Sequence, residues 1–139
     1  MLVTRRAEFS ASHLCRIPEL DEVTNRELFG DDANPNGHGH SYIVEATVEG
    51  EPDPVTGMVI DLKELKEILE QEVVVPMDHR FLNYEVPPFD QVVPTTPNVA
   101  REIWHRLDRP LTARRARLCR VRLFETPDLY VDIFRDDAD

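Results

Sequence analysis

The chain has 139 residues, room for one domain spanning 1–139 around a single core, and its balance of 41% hydrophobic to 31% charged residues is ordinary for a soluble globular protein. Its formal net charge of −11 argues against nonspecific binding to nucleic acid or to a membrane surface, both polyanions, and leaves room for an anionic small molecule where cations cluster. No apolar run approaches the roughly 20 residues of a membrane span, no apolar core follows the basic N-terminus as a signal peptide requires, and Cys15 and Cys119 are too few for a disulfide framework, so a cytoplasmic setting is expected.

In chain order, residues 2–12 ("LVTRRAEFSAS") alternate loosely and read as a first strand ending near His13. Residues 14–40, with two prolines and three glycines among many polar residues, read as a long loop with one short helical turn at "DEVTNRELF". "SYIVEATVEG" is a second strand ending at Gly50, and "EPDPVTG" a turn. From Asp61 the period changes: Leu62, Leu65, Ile68 and Leu69 line one face of a helix. A second helix begins in "TTPNVAREIWHRL", with Thr96 as expected N-cap, Pro97 at the first helical position and Val99, Ile103 and Leu107 as its apolar stripe. "RLCRVRLFE" and "LYVDIFR" alternate around "TPD" as a hairpin. The order β-β-α-α-β-β predicts an α+β domain, an antiparallel four-stranded sheet with two helices on one face.

His38 and His40 are two apart at the entry to the second strand, so their imidazoles point to the same side. If the first two strands pair antiparallel, His13 lies beside them. Three imidazoles with no competing cysteine and an open fourth position fit a catalytic zinc site better than a structural one. His105 falls on the polar side of the second helix and reads as a surface residue. His79 adjoins Asp78, a pairing suited to acid–base work near neutral pH, though the segment alone reads better as a structural histidine capped by loop backbone. Glu125 ends a strand; its carboxylate could accept two parallel N–H groups from a planar heterocycle, or be a solvated strand-end acid.

The blocks "EFSASH", "LFGDDANPNGHGHSY", "DPVTGMVIDL", "MDHRFLN", "TTPNVA" and "LFET" resemble, in order, the signatures of the 6-pyruvoyl tetrahydropterin synthases and of the related 6-carboxytetrahydropterin synthases, from about Glu8 to beyond Glu125. The resemblance implies the T-fold, whose protomers join sheets into a barrel, two trimers stacking into a homohexamer with sites at subunit interfaces. It implies Zn2+ on His13, His38 and His40 and a pterin substrate, 7,8-dihydroneopterin triphosphate, that loses triphosphate in a carbon–oxygen lyase reaction. Glu125 matches the residue that anchors the pterin ring, helped by Thr95 and Thr96 of a neighbouring subunit, and Asp78 and His79 match a proton-transfer pair.

The chain departs from that family at two places. Ungapped alignment of "LFG" and "NPNGHGH" sets Asp32 where the family has a catalytic cysteine, and "TTPN" replaces the familiar "TTEN" at Pro97. A carboxylate is the weaker base, with a reference pKa of about 3.9 against about 8.5 for a thiol. Asp32 is expected to act as the catalytic base in the cysteine's place. Relatives with a glutamate there are thought to cleave the side chain to 6-hydroxymethyl-7,8-dihydropterin, so that product, 6-carboxytetrahydropterin, or a catalytically altered pterin- or purine-binding zinc protein are the alternatives. Cys15, two residues after His13, is no substitute by alignment; only an unusual loop path would bring it over the substrate.

Overall fold

A computed structural model describes residues 1–139. Strands β1 (Leu2–His13), β2 (His38–Glu49), β3 (Arg80–Phe81), β4 (Arg117–Thr126) and β5 (Leu129–Phe134) form one sheet in the order β3-β1-β2-β4-β5. The sheet thus has five strands, not the four expected. The extra one, β3, is a two-residue strand parallel to β1, too short to leave a periodic signal in "MDHRFLN". All other pairings are antiparallel.

β1 and β2 pair over their whole length, from Leu2 opposite Glu49 to His13 opposite His38. Opposed residues share a face, so Phe9, Ala11 and His13 stand with Tyr42, His40 and His38 on the same side. That side faces the core, where Tyr42, Val44, Ala46 and Val48 are fully buried.

Helices α2 (Leu62–Leu69) and α5 (Thr96–Leu111) cover this face. Each inserts an apolar stripe at helical spacing, Leu65, Ile68 and Leu69 from α2 and Val99, Ile103, Trp104 and Leu107 from α5. The helix start of α5 is shifted from expectation by one residue: Thr95 is the N-cap, and Thr96 is already helical and buried. A proline near the first turn loses no hydrogen bond, since those amides lack intrahelical partners.

The helical content exceeds the expected pair. The 14–40 segment carries a full helix, α1 (Glu22–Phe29), followed by a 3-10 turn over Gly30–Ala33. Asp21 caps α1 by accepting from the Thr24 amide at 2.7 Å. Buried Asn25 then ties the preceding loop to the helix, accepting from the Ile17 amide and donating to the Ile17, Leu20 and Asp21 carbonyls. Two short helices, α3 (Val75–Met77) and α4 (Leu82–Glu85), bracket β3, and a π-helical turn over Glu70–Val74 joins α2 to α3. No helix is long and apolar enough to cross a membrane.

Candidate functional site

The end of the β1–β2 ladder brings the three expected histidines together. His13 Nε2 lies 3.1 Å from His38 Nε2 and 3.2 Å from His40 Nε2. Donors about 2.0–2.1 Å from a tetrahedral zinc stand about 3.3 Å apart, so this spacing fits one ion. The tautomer fits as well. His13 Nδ1 lies 2.8 Å from the Pro94 carbonyl, which can only accept; the proton therefore sits on Nδ1 and the Nε2 lone pair is left for a metal. Burial, more than any neighbour, holds His13 and His40 below the ordinary imidazole pKa and keeps them neutral, the form that binds metal.

The surrounding chain is shaped around these rings. Gly37, just before His38, has φ +73°, and a Cβ there would meet the Phe81 ring at 2.7 Å and the His13 carbonyl at 3.1 Å. Only glycine fits both demands. Asn83 grips the backbone of Leu14 from both sides, accepting from its amide at 3.0 Å and donating to its carbonyl at 2.9 Å. His13 is thereby held by its own carbonyl partner and by its clamped neighbour.

Two carboxylates flank the triad. Glu125 Oε1 lies 3.5 Å from His40 Nε2 and 3.8 Å from His13 Nε2, its side chain 18% exposed. Asp32 Oδ1 lies 3.6 Å from His38 Nε2 on a side chain 64% exposed. Asp32, the expected base, is thus at the rim of the site and open to solvent. Cys15 is also drawn in: its amide donates to the Asp32 carbonyl at 2.8 Å, the loop path that sequence alignment gave no reason to expect. Its thiol is pushed up to about 12, first by burial and then by the charges of Asp32 and Glu125, so it stays protonated at neutral pH and offers no thiolate.

Asp78 and His79 do form a pair, with His79 Nδ1 2.9 Å from Asp78 Oδ2. Asp78 Oδ1 accepts from the Ser10 amide at 2.8 Å, and this bond, followed by His79, holds the carboxyl below its usual range. The His79 amide in turn donates to the Ser10 carbonyl. The pair is therefore fastened to β1 where β3 begins, at the edge of the sheet. His79 adopts φ +61°, an uncommon left-handed conformation for a residue with a Cβ, and its side chain is 82% exposed. It borders a shallow groove lined by Ser10, Ser12 and Ser41 and also by His40 of the triad. Within one chain His79 makes no hydrogen bond, ion pair or ring contact with the three imidazoles. Thr95 and Thr96 lie at the start of α5, next to the Pro94 carbonyl that holds His13. His105 is exposed, as expected, with Nε2 2.8 Å from the Ala138 carbonyl.

Sequence reasoning passed over Tyr42. It continues the alternation of His38 and His40 by one more step, which was the available signal. Its ring stacks on Phe9 at 5.0 Å and meets the His40 ring at 5.5 Å, while its hydroxyl is buried without a partner. Burial first, then the charge of Glu125, raises the phenol above its ordinary pKa.

The comparison with known proteins agrees with this geometry. The 6-pyruvoyl tetrahydropterin synthase family model matches residues 2–136. The chain belongs to the 6-pyruvoyl tetrahydropterin synthase family. The 6-pyruvoyl tetrahydrobiopterin synthases of Pongo abelii and Homo sapiens are 48% and 47% identical to it over 124 residues, which is 89% of this chain and 84% of each relative. The Caenorhabditis elegans 6-pyruvoyl tetrahydropterin synthase structure superposes with a TM-score of 0.90 at 34% identity, covering 96% of this chain and 94% of that one. The dihydroneopterin monophosphate aldolase of Pyrococcus furiosus is 33% identical over 128 residues, 92% of both chains. The T-fold expectation holds for the protomer, and the expectation of a carbon–oxygen lyase of the 6-pyruvoyl tetrahydropterin synthase type accords with these relatives.

Proposed function

We propose that the protein is a zinc-dependent lyase that takes 7,8-dihydroneopterin triphosphate and eliminates triphosphate, with Asp32 as its base. The observation that carries this reading is the convergence of three Nε2 atoms beside two carboxylates in a chain of this family. His13, His38 and His40 would hold the ion, which supplies Lewis acidity to the substrate's side-chain hydroxyls when bound. Glu125 faces the triad from β4 and would accept the paired N–H groups of the pterin ring, a bidentate contact that orients the side chain over the imidazoles. Asp32 Oδ1, at the exposed rim beside His38, would take the first proton from that side chain.

Asp78 and His79 would move the remaining protons, and their placement supports an oligomer. They sit at a sheet edge, with His79 82% exposed and making no contact with its own three imidazoles, so a site using both halves would draw them from another copy. Thr95 and Thr96 would join the pterin contact of a neighbouring subunit in the same assembly. We take that assembly to be a homohexamer of two trimers working in the cytoplasm, in keeping with two free cysteines.

A second reading is favoured by one specific observation. The Pyrococcus furiosus relative is an aldolase, and this chain has a carboxylate where the lyases have a thiol. A carboxylate base acting on a side-chain hydroxyl would break the neighbouring carbon–carbon bond and leave 6-hydroxymethyl-7,8-dihydropterin.

The test is to incubate zinc-loaded protein with 7,8-dihydroneopterin triphosphate and identify pterin products and released triphosphate by mass spectrometry, alongside Asp32→Ala and Asp32→Cys. Triphosphate release by the natural chain, lost in Asp32→Ala, is the expected result. A hydroxymethyl product with phosphate retained on the two-carbon fragment selects the aldolase. A silent natural chain awakened by Asp32→Cys would show an intact site whose base has been given up.

A further inference from the structure

Glu125 accepts no hydrogen bond from backbone or side chain and leans instead toward His40 and His13. An ionised carboxylate has about four acceptor positions, and a pterin edge supplies only two N–H groups. Once a planar ring excludes water from the site, the remaining positions need a donor from the protein, because a buried charge short of hydrogen bonds is costly.

One donor is at hand. Continuing the Ile43–Phe124 register by one residue sets Tyr42 opposite Glu125 on neighbouring strands. The approach of Glu125 to His40 and His13, and the burial of Tyr42 in the core, put both side chains on the helix-facing side. Tyr42 is 0% exposed, and its hydroxyl is one of only three buried side-chain polar atoms without a partner. A second of these, His38 Nδ1, belongs to the same site. Buried hydroxyls in native proteins are nearly always satisfied, so this one calls for an acceptor at the site. The ring itself is fixed by its stack on Phe9, so the hydroxyl is aimed before anything binds.

We infer that Tyr42 is a positioning residue for Glu125: when pterin occupies the site, the Tyr42 hydroxyl donates to the Glu125 carboxylate and holds it in the rotamer that receives the ring's N–H pair. The inference rests on the pterin reading above. In the unliganded state Glu125 leans to the imidazoles and the hydroxyl stands idle; in the liganded state the surplus donor meets the surplus acceptor. Phenylalanine at this position keeps the stack and the volume and removes only the bond.

The experiment compares the zinc-loaded natural chain with Tyr42→Phe, Glu125→Gln and the double variant, measuring 7,8-dihydroneopterin affinity by fluorescence titration and unliganded stability by urea unfolding. Inorganic tripolyphosphate, which has no N–H to offer Glu125, serves as second ligand. Tyr42→Phe should weaken pterin binding about tenfold, the worth of one charge-assisted hydrogen bond. It should leave tripolyphosphate affinity unchanged and the urea midpoint unchanged or higher, since an unsatisfied buried hydroxyl has gone. In the Glu125→Gln background it should cost little more.

Unaltered pterin binding by Tyr42→Phe would overturn the inference, as would an equal loss with and without the Glu125 carboxylate. If Glu125→Gln already abolishes measurable pterin binding, the ligand comparison decides, and equal weakening of pterin and tripolyphosphate counts against it. A natural chain that binds no pterin brings down the functional reading, and this inference with it.

Discussion

The histidine triad and the Asp78–His79 pair are both built from histidine beside carboxylate, yet the molecule treats them in opposite ways. The triad lies at the closed end of a twelve-residue ladder, with His13 1% exposed, its tautomer set by the Pro94 carbonyl and its pKa depressed by burial. The pair hangs on a sheet edge, with the imidazole almost wholly in solvent and the backbone in the left-handed region. The first arrangement is complete within one chain and keeps imidazoles neutral for a cation. The second is offered outward, its imidazole in solvent and its carboxylate tied to the sheet. Positive φ at a bulky residue costs of order 1–3 kcal/mol, and here two hydrogen bonds to Ser10 hold it in place.

Five measurements would break or sharpen this contrast. The largest effect is expected from His38→Ala, which should cost at least about 100-fold in zinc affinity, read by chelator competition, and take activity with it. His79→Ala should lower turnover by about 10²–10⁴ while leaving zinc content at the natural level, because it removes a proton carrier and no ligand. Mixing the two inactive variants under conditions that exchange subunits should then restore activity, since one contributes the triad and the other the pair. No recovery on mixing would mean that both halves serve one chain, contrary to the proposed sharing of the site between subunits. Gly37→Ala should destabilise the fold by about 1–3 kcal/mol in urea unfolding, from positive φ and the close approach to Phe81.

The smallest effect concerns pH. His13 and His40 are held below the ordinary 6.5, so the folded metal-free chain resists protons that the unfolded chain accepts. The stability they allow is fully present above pH 6.5 and is lost as pH falls from there toward their depressed folded values. Urea midpoints of chelated protein between about pH 8 and about pH 5 should decline accordingly, and zinc should flatten the upper part of that decline.

Much of the buried half was legible in the sequence because β periodicity carries it. His38 and His40 share a face by simple alternation, and antiparallel pairing of two long strands brings His13 alongside. The same rule extends to Tyr42, which sequence reading passed over because an aromatic residue in a strand is usually plain core. Other parts have no local signature. β3 is two residues long, and the Pro94 carbonyl and the Asn83 clamp act across 81 and 69 residues of chain respectively. The approach of Cys15 to Asp32 depends on Asn25 folding the loop back onto α1, a tertiary event that spacing does not encode. The outward face of Asp78 and His79 is likewise a matter of which strand edge is free.

The register of β1 against β2 carries a mechanical consequence. His13 and His38 face each other across the last rung of the ladder, and between them residues 14–37 leave the sheet, form α1 and return. An ion shared by these two residues would therefore also be a clasp across the mouth of that excursion, which contains Asp32 and Cys15. Removing it should let the ladder fray from this end first, so that proteases cut within 14–37 in chelated protein long before they reach the strands. Loss of zinc would then announce itself as a nicked chain held together by an otherwise intact sheet.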